Sequence, residues 1–176
     1  MKYFCVYVKT GSEDFFKKEA QKQVGLLDEQ SEFYFFSSLL WYGKASRGET
    51  EVKAQILGYV FFKVQELTIE IIQTIKKIKG FIHFLPFNDD IVQLKGKDYE
   101  ILNYMLSYGE VLPMSMAEYT EGDRIKIISG PLKDLEGYIY HIDRRTQRVI
   151  VMTPLFSSMT KMELSYKCLE KIDDKV

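Results

Sequence analysis

A set of glycines in the C-terminal third restricts the fold of this 176-residue chain more than any other feature. Gly122-Asp123-Arg124-Ile125-Lys126-Ile127-Ile128 runs into Gly130-Pro131, and Gly137 stands seven residues after Gly130. A glycine-turned strand, a Gly-Pro loop and a second strand from Gly137 to Asp143 form the pattern of a small β-barrel. Beyond Tyr119 only strand-period patterning is found: Arg124 to Ile128, Gly137 to Asp143, Arg148 to Thr153 and Met159 to Ser165. A barrel is the economical way to hide the edges of so few strands. A tip carrying Arg144, Arg145 and Arg148 follows the second strand. The pattern points to binding rather than turnover.

The N-terminal part has a different rhythm. Tyr3 to Val8 is apolar almost throughout, as a strand covered on both faces would be. Thr10-Gly11-Ser12 breaks it, and Ser12 is placed to cap a helix with Glu13 and Asp14 in its first turn. Phe16, Ala20 and Val24 recur at helical spacing, with Gly25 as a stop. A single aromatic strand is expected over Phe33 to Trp41, then a hairpin tip over Gly43 to Glu51 and a strand over Gln55 to Val64. Ile71, Ile72, Ile75 and Ile78 mark one face of a helix that Gly80 ends. Phe81 to Leu85 reads as a short strand, and Asp98 to Leu106 as another amphipathic helix. This order favours an α+β sandwich, with helices on a mostly antiparallel sheet. Ser107 to Tyr119 loses periodicity and reads as a linker.

Composition limits the possible functions. Lys and Arg number 24 against 25 Asp and Glu, so any nucleic-acid contact must come from a local patch. Cys5 and Cys168 lack neighbouring thiols and suggest neither a disulfide framework nor a zinc site. The run from Tyr3 to Val8 is too short for a signal peptide and ends at Lys9. No apolar run approaches the roughly 18 residues of a spanning helix. A cytoplasmic monomer with no membrane partner is expected. No Ser, Cys or Thr sits in a nucleophile-elbow or triad-like context. His83 and His141 fall in expected strands, where a structural or partly exposed imidazole is favoured over a base. Asp89-Asp90 and Asp173-Asp174 read as turn and tail residues rather than metal ligands. No enzyme, cofactor or metal is expected.

Two constellations stand out. Tyr59 and Phe61 share a face of their strand, and Tyr7 joins them if the two strands are neighbours. Patterning alone favours core for this group; the alternative is an apolar dock for a partner's helices. The second is the basic tip Asp143-Arg144-Arg145-Thr146-Gln147-Arg148, with Lys133 in the preceding loop and Arg124 and Lys126 on an adjacent strand. Arginine suits phosphate through its bidentate fork, and Tyr138 and Tyr140 are near enough to stack on bases or to fill the barrel. On residues alone, nucleic-acid contact and a solvated turn are evenly matched.

These stretches resemble the NusG family of transcription elongation factors over nearly the whole chain. Gly122-Asp123-Arg124-Ile125 and Gly130-Pro131-Leu132 through Glu136-Gly137 stand at the spacing of its KOW barrel. The opening strand into Val8-Lys9-Thr10-Gly11, then Leu57-Gly58-Tyr59-Val60-Phe61 and Lys79-Gly80-Phe81, resembles its N-terminal (NGN) domain. The resemblance implies an α+β NGN domain over 1–108, an antiparallel sheet flanked by helices. A linker over 109–118 and a KOW (SH3-like) β-barrel over 119–176 would follow. It further implies that the first domain binds the clamp helices of RNA polymerase through Tyr7, Tyr59 and Phe61, bridging the DNA-binding cleft with nontemplate DNA within reach. The KOW domain would recruit a ribosomal protein, Rho or RNA.

There are departures from the family pattern. Leu57 replaces the proline of the usual Pro-Gly-Tyr, and Phe156-Ser157-Ser158 stands where Phe-Gly-Arg is usual, which weighs against the ordinary Rho and ribosomal contacts. Gly130-Pro131-Leu132 with Ile142-Asp143-Arg144-Arg145 is more similar to LoaP, a paralogue that promotes antitermination at particular operons and whose KOW domain recognises an RNA hairpin. The expectation is a LoaP-like antiterminator that holds a nascent RNA hairpin with Arg124, Lys126, Lys133, Arg144, Arg145 and Arg148. A general NusG factor coupling polymerase to the ribosome or Rho is the alternative.

Overall fold

The computed structural model describes residues 1–41, 49–120, 124–156 and 158–169. The fold is α+β, and by internal contacts the chain divides into two compact units. The first comprises Met1–Phe36, Ile56–Asn103 and Pro154–Ser158; the second comprises Ser37–Gln55, Tyr104–Thr153 and Met159–Val176. These units do not coincide with the division at 108 and 119 expected from the sequence. No helix among the described residues is long and apolar enough to cross a membrane.

In the first unit, strand β1 (Lys2–Val8) leads into helix α1 (Glu13–Val24). Strands β2 (Glu32–Tyr34), β5 (Tyr59–Val64) and β6 (Phe81–Phe84) join β1 in an antiparallel sheet of order β2-β5-β1-β6. Helix α2 (Ile69–Lys77) precedes β6, with the Thr68 hydroxyl accepting from the Ile71 N–H as its cap. Alternation along the strands sorts their side chains into two sets. Phe4, Val6, Val8, Val60, Phe62, Val64 and Phe84 join Phe16, Ala20 and Val24 of α1 and Ile71 and Ile75 of α2 in one buried core. The other strand residues, Cys5, Tyr7, Tyr59, Phe61 and His83, therefore occupy the face turned away from that core. The helical spacing of Phe16, Ala20 and Val24 predicts their burial, and all three are fully buried.

Local details differ from expectation. The Ser12 side chain makes no capping bond, and Gly25 stays right-handed at φ −59°. The expected single strand over Phe33 to Trp41 is two, β2 and β3 (Ser37–Trp41), in separate sheets. Phe35 and Phe36 between them are both buried, so burial is continuous from Phe33 to Phe36 although pairing is not, and it alternates along β3.

In the second unit, β3 pairs antiparallel with β4 (Thr50–Ala54) and parallel with β9 (Val111–Leu112). Most of the expected hairpin tip, residues 43–48, lies outside the described residues. Asp89 and Asp90 belong to a small hairpin of the first unit, β7 (Pro86–Phe87) and β8 (Asp90–Ile91). Helix α3 (Gly96–Tyr108), whose residues to Asn103 belong to the first unit, buries Ile101, Leu102 and Met105. The expected linker 109–118 instead contains β9 and most of β10 (Ser115–Thr120). Strand β10 pairs antiparallel with β11 (Arg124–Ser129) and parallel with β14 (Ser158–Cys168). With β12 (Ile139–Asp143) and β13 (Arg148–Leu155) they form one sheet of order β11-β10-β14-β13-β12. Gly137 sits in a short 3-10 turn, Glu136–Tyr138, ahead of β12 rather than in the strand itself.

Candidate functional site

The sheet face opposite the helical core carries a line of rings. Register pairs Tyr7 of β1 with Tyr59 of β5 on one side and with His83 of β6 on the other. The Tyr7 and Tyr59 rings meet edge to face at 5.1 Å, and Tyr7 and His83 lie 5.4 Å apart with planes 31° from parallel. Beyond Tyr59 the Phe156 ring stacks at 5.6 Å and 10°. Three adjacent strands thus present rings in one row across the sheet, with centroid spacings typical of aromatic pairs.

The expected trio is only partly presented. Tyr7 and Tyr59 keep partial exposure, whereas Phe61 has none. Phe61 is covered by Phe36, at 5.7 Å, and by Phe156, at 6.0 Å. It offers no surface to a partner in this conformation, because its side of the strand is filled by other rings. Partial burial, with Cys5 and Tyr7 as neighbours, pushes the Tyr59 phenol above its ordinary range, so the hydroxyl stays neutral and free to donate. Burial likewise pushes the Cys5 thiol well up, which keeps it out of thiolate chemistry. Phe156 sits at φ +52°, unusual for a bulky residue, with its N–H donated to Asp98 Oδ1 at 3.0 Å.

Two loops set the position of the row, and one carboxylate joins them. Glu13 is 3% exposed; its Oε2 accepts from the Gly11 N–H and its Oε1 from the Gly58 N–H, both at 2.7 Å. The turn before β5 is therefore tied to the turn after β1, and α1 directs its N-terminal dipole at the same carboxylate. Gly58 is at φ +85°, and a Cβ there would lie 2.5 Å from Cε2 of Tyr7. The Tyr7 ring lies against bare backbone. Sequence patterning assigned Glu13 to a helix dipole alone, and no local spacing signals its second bond, made to a residue 45 positions away.

The basic tip resolves unevenly. Arg144 and Arg145 are exposed in the turn between β12 and β13, and Asp143 Oδ1 shapes that turn by accepting from the Arg145 and Thr146 N–H groups at 2.9 and 3.2 Å. Lys133 is also exposed. Arg148 is not a free tip cation, since its Nη1 meets Glu163 Oε1 at 2.8 Å and its side chain is 20% exposed. Lys53 Nζ holds the other oxygen of Glu163 at 2.7 Å. Partial burial would raise the Glu163 carboxyl, but hydrogen bonds from Lys53 and Arg148 outweigh it and hold the group below the usual range. Lys126 lies 3.7 Å from Glu118 across the β10–β11 pair, with both side chains exposed. Arg124 lies in β11, but its side chain is outside the described residues, as are Gly122, Asp123, Ser157 and Asp173-Asp174. Tyr140 is 77% exposed on β12, near the two free arginines in sequence.

No family model matches the chain. Curated relatives do. It is 27% identical over 122 residues to the transcription termination/antitermination protein NusG of Borreliella burgdorferi, covering 65% of this chain and 66% of that one. It is 24% identical over 117 residues to the NusG of Haemophilus influenzae, covering 65% and 62%. In both the match spans less than two thirds of the relative's length. The NusG of Thermus thermophilus matches along 97% of this chain and 98% of its own, at 20% identity. A solved structure from work on domain interaction in Thermotoga maritima NusG superposes with a TM-score of 0.54, at 19% identity and 93% coverage of each chain. That likeness concerns the fold. NusG transcription termination/antitermination factors are thus the homologues of this chain, and a NusG structure is its fold neighbour.

Proposed function

We propose that this protein is a NusG-type transcription elongation factor that docks on RNA polymerase through the Tyr59–Tyr7 face of its first unit. The observation that carries the reading is the row of rings on the sheet face away from the core. A face of partly exposed aromatics, framed by a rigid glycine turn, suits the apolar side of a partner's helices. Tyr7 and Tyr59 are the contact residues, while Phe61, farther along the same face, is covered by Phe36 and Phe156. No bound cofactor is required, because the function is attachment rather than catalysis.

The second arm of the proposal is antitermination at particular operons. Arg144, Arg145 and Lys133 hold the phosphates of a nascent RNA hairpin, and Tyr140 supplies a surface for stacking. The exposure of both tip arginines supports this reading, whereas the Glu163 pairing gives Arg148 a structural part. Two attachments on one chain raise the effective concentration of each and keep the factor on the moving complex. A general NusG factor is the second reading, favoured by the names of the relatives. In it the second unit meets a ribosomal protein or Rho.

Titrating the full chain with an RNA hairpin at several salt concentrations separates the two. Phosphate contacts give a log affinity that falls linearly with log salt, and Arg144→Ala/Arg145→Ala is expected to flatten that slope by about two units. Salt-insensitive binding, or a slope untouched by the double substitution, removes the RNA arm and leaves the general factor.

A further inference from the structure

The ring nearest Tyr7 on its far side is not a tyrosine or phenylalanine but His83, for which strand patterning predicts a structural or partly exposed imidazole. Three observations set it apart. Register on β6 places it beside Tyr7, while Phe84 next to it is fully buried in the core. Its ring continues the row across a third strand, 5.4 Å from Tyr7. Its Nδ1 lies 2.9 Å from the Phe84 carbonyl oxygen.

That last contact fixes the tautomer. A carbonyl oxygen only accepts, so Nδ1 carries the proton and donates it. In the neutral ring Nε2 is then left with a lone pair. Among the described residues no other hydrogen bond of His83 is found. A half-exposed imidazole thus ends the aromatic row with an acceptor, where the tyrosines offer hydroxyls.

We propose that His83 is a specificity-determining residue of the docking face, its Nε2 accepting a hydrogen bond from a side-chain N–H on the polymerase surface. The inference rests on the polymerase-docking reading above. The rings supply apolar contact along the row, which tolerates many partners of similar shape. A single acceptor at its end rejects a partner with no donor there, because a polar group buried without its mate is costly.

Affinity of the full-length protein for core RNA polymerase, measured for four variants beside the parent, tests this. His83→Asn retains an amide able to reach the Phe84 carbonyl but has nothing at the Nε2 position. His83→Gln carries an amide oxygen out to that position. His83→Ala has neither, and Tyr59→Ala tests the docking face itself. The expected result is a loss of roughly tenfold for His83→Ala and His83→Asn, with His83→Gln within about threefold of the parent, as one intermolecular hydrogen bond implies. Melting temperatures accompany each measurement, so a merely structural part for His83 would show as a loss of stability that tracks the loss of binding. If Tyr59→Ala weakens binding while His83→Ala and His83→Asn bind like the parent, or if His83→Gln binds no better than His83→Ala, the inference is overturned and docking stands. If Tyr59→Ala also binds like the parent, or the parent does not bind, the docking reading fails and this inference with it.

Discussion

Replacing Glu13 by alanine is expected to lower the stability of the first unit by roughly 3 kcal/mol, a loss typical of removing hydrogen bonds to a buried charged group. The carboxylate is 3% exposed and takes two N–H groups, at 2.7 Å each, from turns far apart in sequence. Alanine leaves both donors without that partner, and the Gly58 N–H, unlike that of exposed Gly11, is buried where water does not replace it. Glu13→Gln separates hydrogen bonding from volume. Its single carbonyl oxygen serves one donor, while its NH2 faces the other, so about half the loss is expected to remain. Urea unfolding checks this: the midpoint should fall with an unchanged slope, since the surface exposed on unfolding is the same. A midpoint unmoved by either change would mean that the two turns are held by something else.

Gly130→Ala is expected to cost the second unit a similar amount, roughly 3 kcal/mol, from a left-handed backbone and an overpacked contact acting together. Gly130 is at φ +89°, and a Cβ there would lie 2.6 Å from the Cα of Ser115 and 2.9 Å from its Oγ. The first of these is main chain and has no rotamer to escape into. Ser115 is itself fully buried, with its Oγ accepting from the Leu132 N–H at 2.9 Å, so β10 and the Gly-Pro loop would have to part. Gly137 provides the control. A Cβ there meets nothing within 4 Å, so Gly137→Ala should change stability by no more than about 0.5 kcal/mol, as for an ordinary surface site. Equal effects at the two positions would contradict this account of the loop.

The sequence treats these two glycines alike, since both belong to one spaced pattern. The left-handed backbone of Gly130 and the main chain brought alongside it, at Ser115 in the expected linker, distinguish them. The same limit recurs elsewhere. Elements whose signal is local were legible: the helical spacing of Phe16, Ala20 and Val24, the apolar run of β1, and the Ile71 and Ile75 face of α2. Elements defined by distant partners were not. Strand β10 has little period of its own and is a strand because Ala117 pairs with Ile127 and Ser115 with Tyr166. The aromatic run over Phe33 to Trp41 divides because β2 bonds to β5 while β3 bonds to β4 and β9.

The candidate sites follow the same rule. That Tyr7 would meet Tyr59 was legible once β1 and β5 were neighbours, because alternation fixes which side chains share a face. Phe61 shares that face as expected, but the rings of Phe36 and Phe156 that cover it come from elsewhere in the chain. His83 reads from sequence only as a structural or partly exposed imidazole, because a lone histidine in a strand carries no signal of its neighbours. Arg148 looked like its companions at the tip until Glu163, 15 residues away, paired with it. A cluster in sequence is not a cluster of free charges.

The central claim is that the Tyr59–Tyr7 face docks on RNA polymerase. Its most direct test is the dissociation constant of the full-length protein for core polymerase, compared between the parent and Tyr59→Ala, with melting temperature as the check on folding. A central aromatic anchor lost from an interface costs about 2 kcal/mol, so binding should weaken roughly thirtyfold in a variant that still folds. Equal affinity of the two, with both folded, would contradict the account.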